Sequence, residues 1–186
     1  MDHIRYITPT DAGHEKPMID AQPIQLPHTR DCLVCGRDNP HGLKLDAMVD
    51  PANGLVTINF APGAHHTGFE GIVHGGLIAT VMDEAMTWAA SWAQKRFCVC
   101  GEVTVRFRQA INVGQTLRVE AMVEFSRPKL VEPSAKLFDE HHKLLATASG
   151  KYVPTAPEQH RLFAKSFVPD PRTREAANLL GVRDAG

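Results

Sequence analysis

The stretch GFEGIVHGGLIATVMDEAMTWAA, residues 68–90, decides the fold. It opens on glycines, passes Gly75-Gly76, and then runs apolar for five turns with Asp83 and Glu84 inside the run. Its length and its Ala, Met and Leu content predict a helix over about 74–94 rather than a strand. Leu77, Ile78, Val81, Met82, Ala85, Met86, Trp88, Ala89 and Trp92 together leave little of its circumference for water. Such a helix must be covered on nearly every side.

The flanking sequence supplies the cover. Residues 43–49 and 54–60 read as two strands joined through Asp50-Pro51-Ala52-Asn53-Gly54. After the helix, 102–108 alternates Val103, Val105 and Phe107 with Thr104, Arg106 and Arg108. The clearest alternation is in 116–126, where Leu117, Val119, Ala121, Val123 and Phe125 share one face. Residues 130–138 and 143–153 form a further hairpin through Glu140-His141-His142. Long strands with short turns pair antiparallel.

The expected architecture is therefore α+β: one long central helix wrapped by a curved antiparallel sheet of about six strands. That arrangement is the hot-dog fold. The organisation expected is an N-terminal arm and turn-rich lead-in segment over 1–41, the hot-dog domain over 42–154, and a tail with short helices over 155–186. The arm, up to about residue 27, reads as extended or poorly ordered alone. The tail, helical at about 157–167 and 172–180, is expected outside the core or on a partner.

A formal net charge of −1 gives no reason to expect a nucleic-acid or membrane partner. No apolar run reaches the roughly 18 residues that span a bilayer. The N-terminal stretch MDHIRYITPTDAGHEKP has no apolar signal core, so the cytoplasm is the expected compartment. Cys32, Cys35, Cys98 and Cys100 are then expected as free thiols, with no metal and no cofactor. A zinc site from His28, Cys32, Cys35 and His41 fits the Cys-x-x-Cys pitch. Turn chemistry at Asn39-Pro40 and Gly42 is the simpler account of that loop.

Thr80, Asp83, Glu84, Thr87 and Ser91 form one polar stripe on the apolar helix. Thr87 is one turn from Asp83, near enough to orient its carboxylate. At the helix start, His74-Gly75-Gly76 leaves backbone N–H groups pointing outward at the positive end of the dipole. Such groups suit an anion, including the oxyanion of acyl transfer. Gly75 and Asp83 are eight residues apart, or about 12 Å along a helix rising 1.5 Å per residue. One carbonyl cannot meet both groups of the same helix. If both act on it, they come from two copies, which implies a two-fold homodimer, alone or paired into a dimer of dimers.

At these residues the sequence resembles the PaaI-like acyl-CoA thioesterases of the hot-dog superfamily, over about residues 30–153. His74-Gly75-Gly76, six residues and then Asp83 carry the resemblance. Cys32-Leu-Val-Cys35-Gly36 and Asn39-Pro40-His41-Gly42-Leu43 add to it. The resemblance implies a thioester hydrolase that releases a carboxylate and CoA. In it the Gly75 N–H polarises the carbonyl, with His74 and Gly76 building the turn. Asp83 of the other subunit activates water or attacks directly, and Thr87 supports it. Cys100 falls near a strand position where relatives often place Ser or Thr. Many relatives also carry Asn or Gln where this chain has Gly68; His65, His66, Thr67 and Glu70 are the nearby substitutes. Glu84 competes as base, about 100° around the helix from Asp83.

The remaining substrate-binding candidates are His66, Phe69 and Glu70 near the helix start, and Arg106, Arg108, Arg127 and Lys129 for the anionic CoA. Met82, Met86 and Phe69 are candidates for the acyl pocket. The alternative function is a non-catalytic hot-dog module that binds acyl-CoA, which would not need Asp83. A dehydratase or hydratase would want a catalytic His facing a carboxylate, and no second motif completes that pair.

Overall fold

The computed structural model describes residues 22–182. Its centre is helix α1, Gly75–Gln94. His74 is the N-cap, with extended backbone and an Nδ1 that accepts from the Gly76 N–H at 2.9 Å. At the other end Lys95 takes a left-handed φ of 50° and closes the last turn. Ile78, Val81, Met82, Ala85 and Met86 are fully buried. Each large side chain among them is worth roughly 1.5–3 kcal/mol of apolar burial.

Among the described residues nine strands accompany it: β1 Ile24–Gln25, β2 Ala47–Val49, β3 Val56–Phe60, β4 Thr67–Phe69, β5 Ile72–Val73, β6 Cys98–Phe107, β7 Leu117–Arg127, β8 Leu130–Asp139 and β9 Leu144–Pro154. Seven form one antiparallel sheet in the order β1-β2-β3-β7-β8-β9-β6, and β4 pairs with β5. The helix packs against β3, β6, β7, β8 and β9, as a hot-dog fold requires.

The main sheet has seven strands rather than six. The added strand, β1, lies in the arm expected to be extended or poorly ordered alone, where Ile24 pairs with Val49 and Leu26 is buried. Two paired residues are too short a run to show periodicity. The rest of that expectation, residues 1–21, lies outside the described residues. Strand β6 begins four residues earlier than expected, because Gly101 sits at a bulge in its pairing with β9. Helices α2, Pro157–Ala164, and α3, Arg174–Leu179, follow the sheet. The tail does not stay outside the core: Ala176, Ala177, Leu180 and Val182 join the main apolar cluster.

Strand β6 is the edge of the sheet and, in the single chain, is largely uncovered. Val99, Val103 and Phe107 on it, and Val153 on its neighbour β9, are each more than 40% exposed. A long apolar edge is a template for pairing with another chain.

Candidate active site

The start of α1 opens onto a cleft of about 450 Å³ whose lining includes Phe69, Ile72, Gly75, Ile78, Phe107 and Arg108. The Gly76 N–H is already taken by the His74 ring. Gly75, the first helical residue, presents its N–H with no partner inside the helix. A Cβ on Gly75 would press on the Phe107 ring at 3.3 Å, and one on Gly76 would meet His74 Nδ1 at 2.9 Å. The His74 backbone is held in turn by the His66 carbonyl, at 2.8 Å.

Eight residues on, Asp83 is half-buried, and its Oδ1 accepts the Tyr152 hydroxyl at 2.6 Å. Tyr152 is fully buried, and burial together with the Asp83 charge holds its phenol well above the usual range. It therefore stays a donor. Cys100, paired with Tyr152 across β6 and β9, completes the cluster. Burial and the neighbouring Asp83 push its thiol up as well. One Asp83 oxygen is thus fixed by the Tyr152 hydroxyl.

Glu84 faces elsewhere. Its Oε1 accepts from Trp88 Nε1 at 3.0 Å, and burial pushes the carboxyl up to about 7, the Cys32 charge adding to the effect. Thr87 lines a second hollow of about 190 Å³ together with Glu84, Cys32, Cys35 and Trp88. The expected orienting role beside Asp83 is filled by Tyr152 instead. Thr80 bonds back to the Gly76 carbonyl, and the buried Ser91 hydroxyl accepts the Cys98 N–H. The single polar stripe of the sequence therefore divides among separate partners.

The substrate-binding candidates also separate. Phe69, 83% exposed, lines the cleft. His66 spends its Nδ1 on the Gly63 N–H, and Glu70 is exposed outside the cleft lining. Arg108 reaches the cleft wall, whereas Arg106 lies exposed on β6. The Arg127 carbonyl accepts from Gln94 at the far end of α1, and its guanidinium sits over Phe125; Lys129 lies in the turn beyond. Met82 and Met86 are core residues and do not line the cleft. At Gly68 a Cβ would meet His74 Cα at 3.2 Å, so the glycine admits the close passage of this loop over the helix start. The zinc set that the sequence offered as an alternative does not assemble: His41 is exposed, and His28 faces Asp170 at 3.9 Å.

Sequence reasoning missed Tyr152. The only signal for it was the alternation of β9, which marks it as inward-facing but not as a partner of a helix 69 residues away.

The family model of the thioesterase superfamily matches residues 70–146. Among solved structures, Escherichia coli PaaI, from a phenylacetic acid degradation operon, aligns with a TM-score of 0.56 at 22% identity, covering 61% of this chain and 81% of that one. An acyl-CoA hydrolase from Staphylococcus aureus, solved with butyryl coenzyme A, coenzyme A and coenzyme A disulfide, aligns at 0.54 and 20%, covering 57% and 66%. A Streptococcus mutans protein bound to acetyl CoA aligns at 0.53 and 15%, covering 56% and 83%. No match was found among curated proteins. By the wrapped helix and these alignments the chain has the hot-dog fold, and over residues 70–146 it is similar to the thioesterase superfamily.

Proposed function

We propose that this protein hydrolyses an acyl-CoA thioester to a carboxylate and CoA, at a site built by two copies of the chain. The observation that carries the reading is the pairing on one helix of an unpartnered Gly75 N–H beside an apolar cleft with a Tyr152-anchored Asp83 about 12 Å along the axis. The thioester carbonyl oxygen lies against the Gly75 N–H of one protomer. Asp83 of the partner then uses its free oxygen, either to take a proton from the attacking water or to attack the carbonyl itself. In the first route the water oxygen bonds to the carbonyl carbon. The oxyanion gathers at the Gly75 N–H, and collapse breaks the carbon–sulfur bond and releases the CoA thiol. In the second route the Asp83 oxygen bonds to the carbonyl carbon and the carbon–sulfur bond breaks to expel CoA thiolate; water then cleaves the mixed anhydride to the product acid and free Asp83, one of its protons going to the thiolate. A single turnover in ¹⁸O-labelled water separates them: the label enters only the product acid in the first route, and for a nucleophile it can also appear in Asp83.

Both supports for the assembly come from the chain itself. If both groups act on one carbonyl, their separation calls for a second helix, and β6 offers an uncovered apolar edge through which a second copy can pair. The cleft wall is apolar around Phe69, Ile72, Ile78 and Phe107, which suits the acyl group, and Arg108 supplies a cation for CoA. Two structural relatives were solved with CoA ligands, in keeping with that substrate class. A thiol-release assay over a panel of acyl-CoAs, run beside Asp83→Asn, tests the reading. Turnover of at least one acyl-CoA that the variant loses supports it. No release from any member of the panel, or an unimpaired variant, contradicts it.

A further inference from the structure

Cys32, Cys35 and Glu84 bring three ligand atoms within 4.8 Å of one another, in a cluster the thioesterase reading does not use. The two thiols lie on one tight turn. The Val34 N–H donates to Cys32 Sγ at 3.3 Å, and the Gly36 N–H returns to the Cys32 carbonyl at 3.0 Å. Only glycine closes this turn, since a Cβ on Gly36 would come within 2.3 Å of the Cys32 carbonyl oxygen. The loop is pinned to its continuation by Leu43 N–H to the Leu33 carbonyl and Leu45 N–H to the Val34 carbonyl, at 2.8 and 2.9 Å. The sulfurs are thus placed in advance, and a backbone amide aims at one of them as it would at a thiolate.

The third atom comes from α1. Trp88 Nε1 holds Glu84 Oε1, the kind of orienting bond that ligating carboxylates receive. Among the described residues no Lys, Arg or His forms an ion pair with Glu84. The two thiols and the carboxyl border one hollow, which they share with Trp88 and Phe167. Thiolate ligands favour soft or borderline metals over Mg²⁺ and Ca²⁺, and a mixed sulfur–oxygen set suits zinc.

We propose that Cys32, Cys35 and Glu84 bind one zinc-type divalent ion, which fastens the lead-in loop to the central helix one residue beyond Asp83. Three protein ligands leave a fourth tetrahedral position for water. The hollow that borders all three residues has room for it, and Thr29 on its wall offers a hydroxyl. The site replaces the two histidines of the sequence-based set with a carboxylate that lies 49 residues from the nearer cysteine. It is independent of the thioesterase assignment.

The test uses full-length protein purified without chelator and kept reduced. Elemental analysis is expected to find about one zinc per chain. Titration of chelator-stripped protein with Co²⁺ is expected to give thiolate-to-cobalt charge-transfer absorption that saturates at one equivalent. Cys32→Ser and Glu84→Gln are each expected to weaken cobalt binding by at least about 100-fold, the upper end of the loss seen when only an outer-shell partner is removed. Circular dichroism confirms that each variant is folded. If a variant does not fold, the wild-type titration still decides. Zinc at a thousandfold excess over its Kd is expected to raise the wild-type unfolding midpoint by at least about 8 °C. Reduced wild-type protein that holds no zinc and gives no cobalt–thiolate band overturns the proposal, as does cobalt binding that folded Glu84→Gln leaves unchanged.

Discussion

Asp83 and Glu84 are consecutive on one helix, about 100° apart around it, and the chain packs different things on each. Asp83 meets the sheet: Tyr152 from β9 fixes one oxygen, and Cys100 from β6 stands beside it. Glu84 meets the lead-in loop: Trp88 fixes one of its oxygens, two cysteines approach the carboxyl, and burial pushes it up to about 7. Two acidic residues that look equivalent in the sequence thus end in different chemistry. Long-range packing, rather than residue type or helix position, makes the difference. On this account Asp83 performs catalysis, and Glu84 ties a loop to the scaffold.

The sharpest way to break that contrast is to remove each carboxylate in turn. Asp83→Asn is expected to lower kcat/KM for the best acyl-CoA by about 10³-fold, within the range of a positioned general base, with the dimer intact by light scattering. Glu84→Gln is expected to cost far less activity than any change at Asp83 or Tyr152. If Glu84→Gln is the more damaging of the pair, the roles are reversed.

The helix start gives the next largest effect. Gly75→Pro deletes the N–H, and the fold tolerates proline there: position one of a helix accepts it, and His74 already has the extended backbone that a following proline requires. The loss expected is about 100-fold or more in kcat, equivalent to one oxyanion donor at ~3 kcal/mol. Gly75→Ala keeps the N–H but crowds Phe107 in the same way, so the difference between the two variants isolates the amide. Tyr152→Phe should be milder, about 10-fold in kcat, because it removes one hydrogen bond to a charged group. Smallest is Gly68→Ala, which presses on His74 and is expected to lower kcat/KM a few-fold, with the unfolding midpoint shifted by about 2 °C or less. A rise in activity at Gly68→Ala would mean that the loop is not set against the helix start as described.

The same contrast shows what the sequence made legible. The central helix and the strands after it were readable because each carries a long, unbroken period: apolar nearly all round for α1, and strict alternation for β7. The His74-Gly75-Gly76 start and Asp83 were readable because their spacing is local to one helix. Tyr152 was not, since its partner is fixed by the register of β9 against β6 and by the packing of both on α1. The approach of Cys32 and Cys35 to Glu84 was hidden for a related reason. A turn-rich segment has no period, so nothing in it states which face of the helix it will cover. Arg108 instead of Arg106 at the cleft wall is a subtler case: the arginine that reaches it follows the last residue of β6, where the chain leaves the sheet.

The central claim is that each active site takes Gly75 from one chain and Asp83 from another. Mixing Gly75→Pro and Asp83→Asn protomers by co-expression with two tags tests it directly. Every mixed dimer would then carry one site with both defects and one with neither. With half of the dimers mixed and one of their two sites restored, the account predicts recovery to about a quarter of wild-type activity from two nearly inactive parents. Activity that stays at the level of the parents would contradict it, because a site made within one chain gains nothing from a partner.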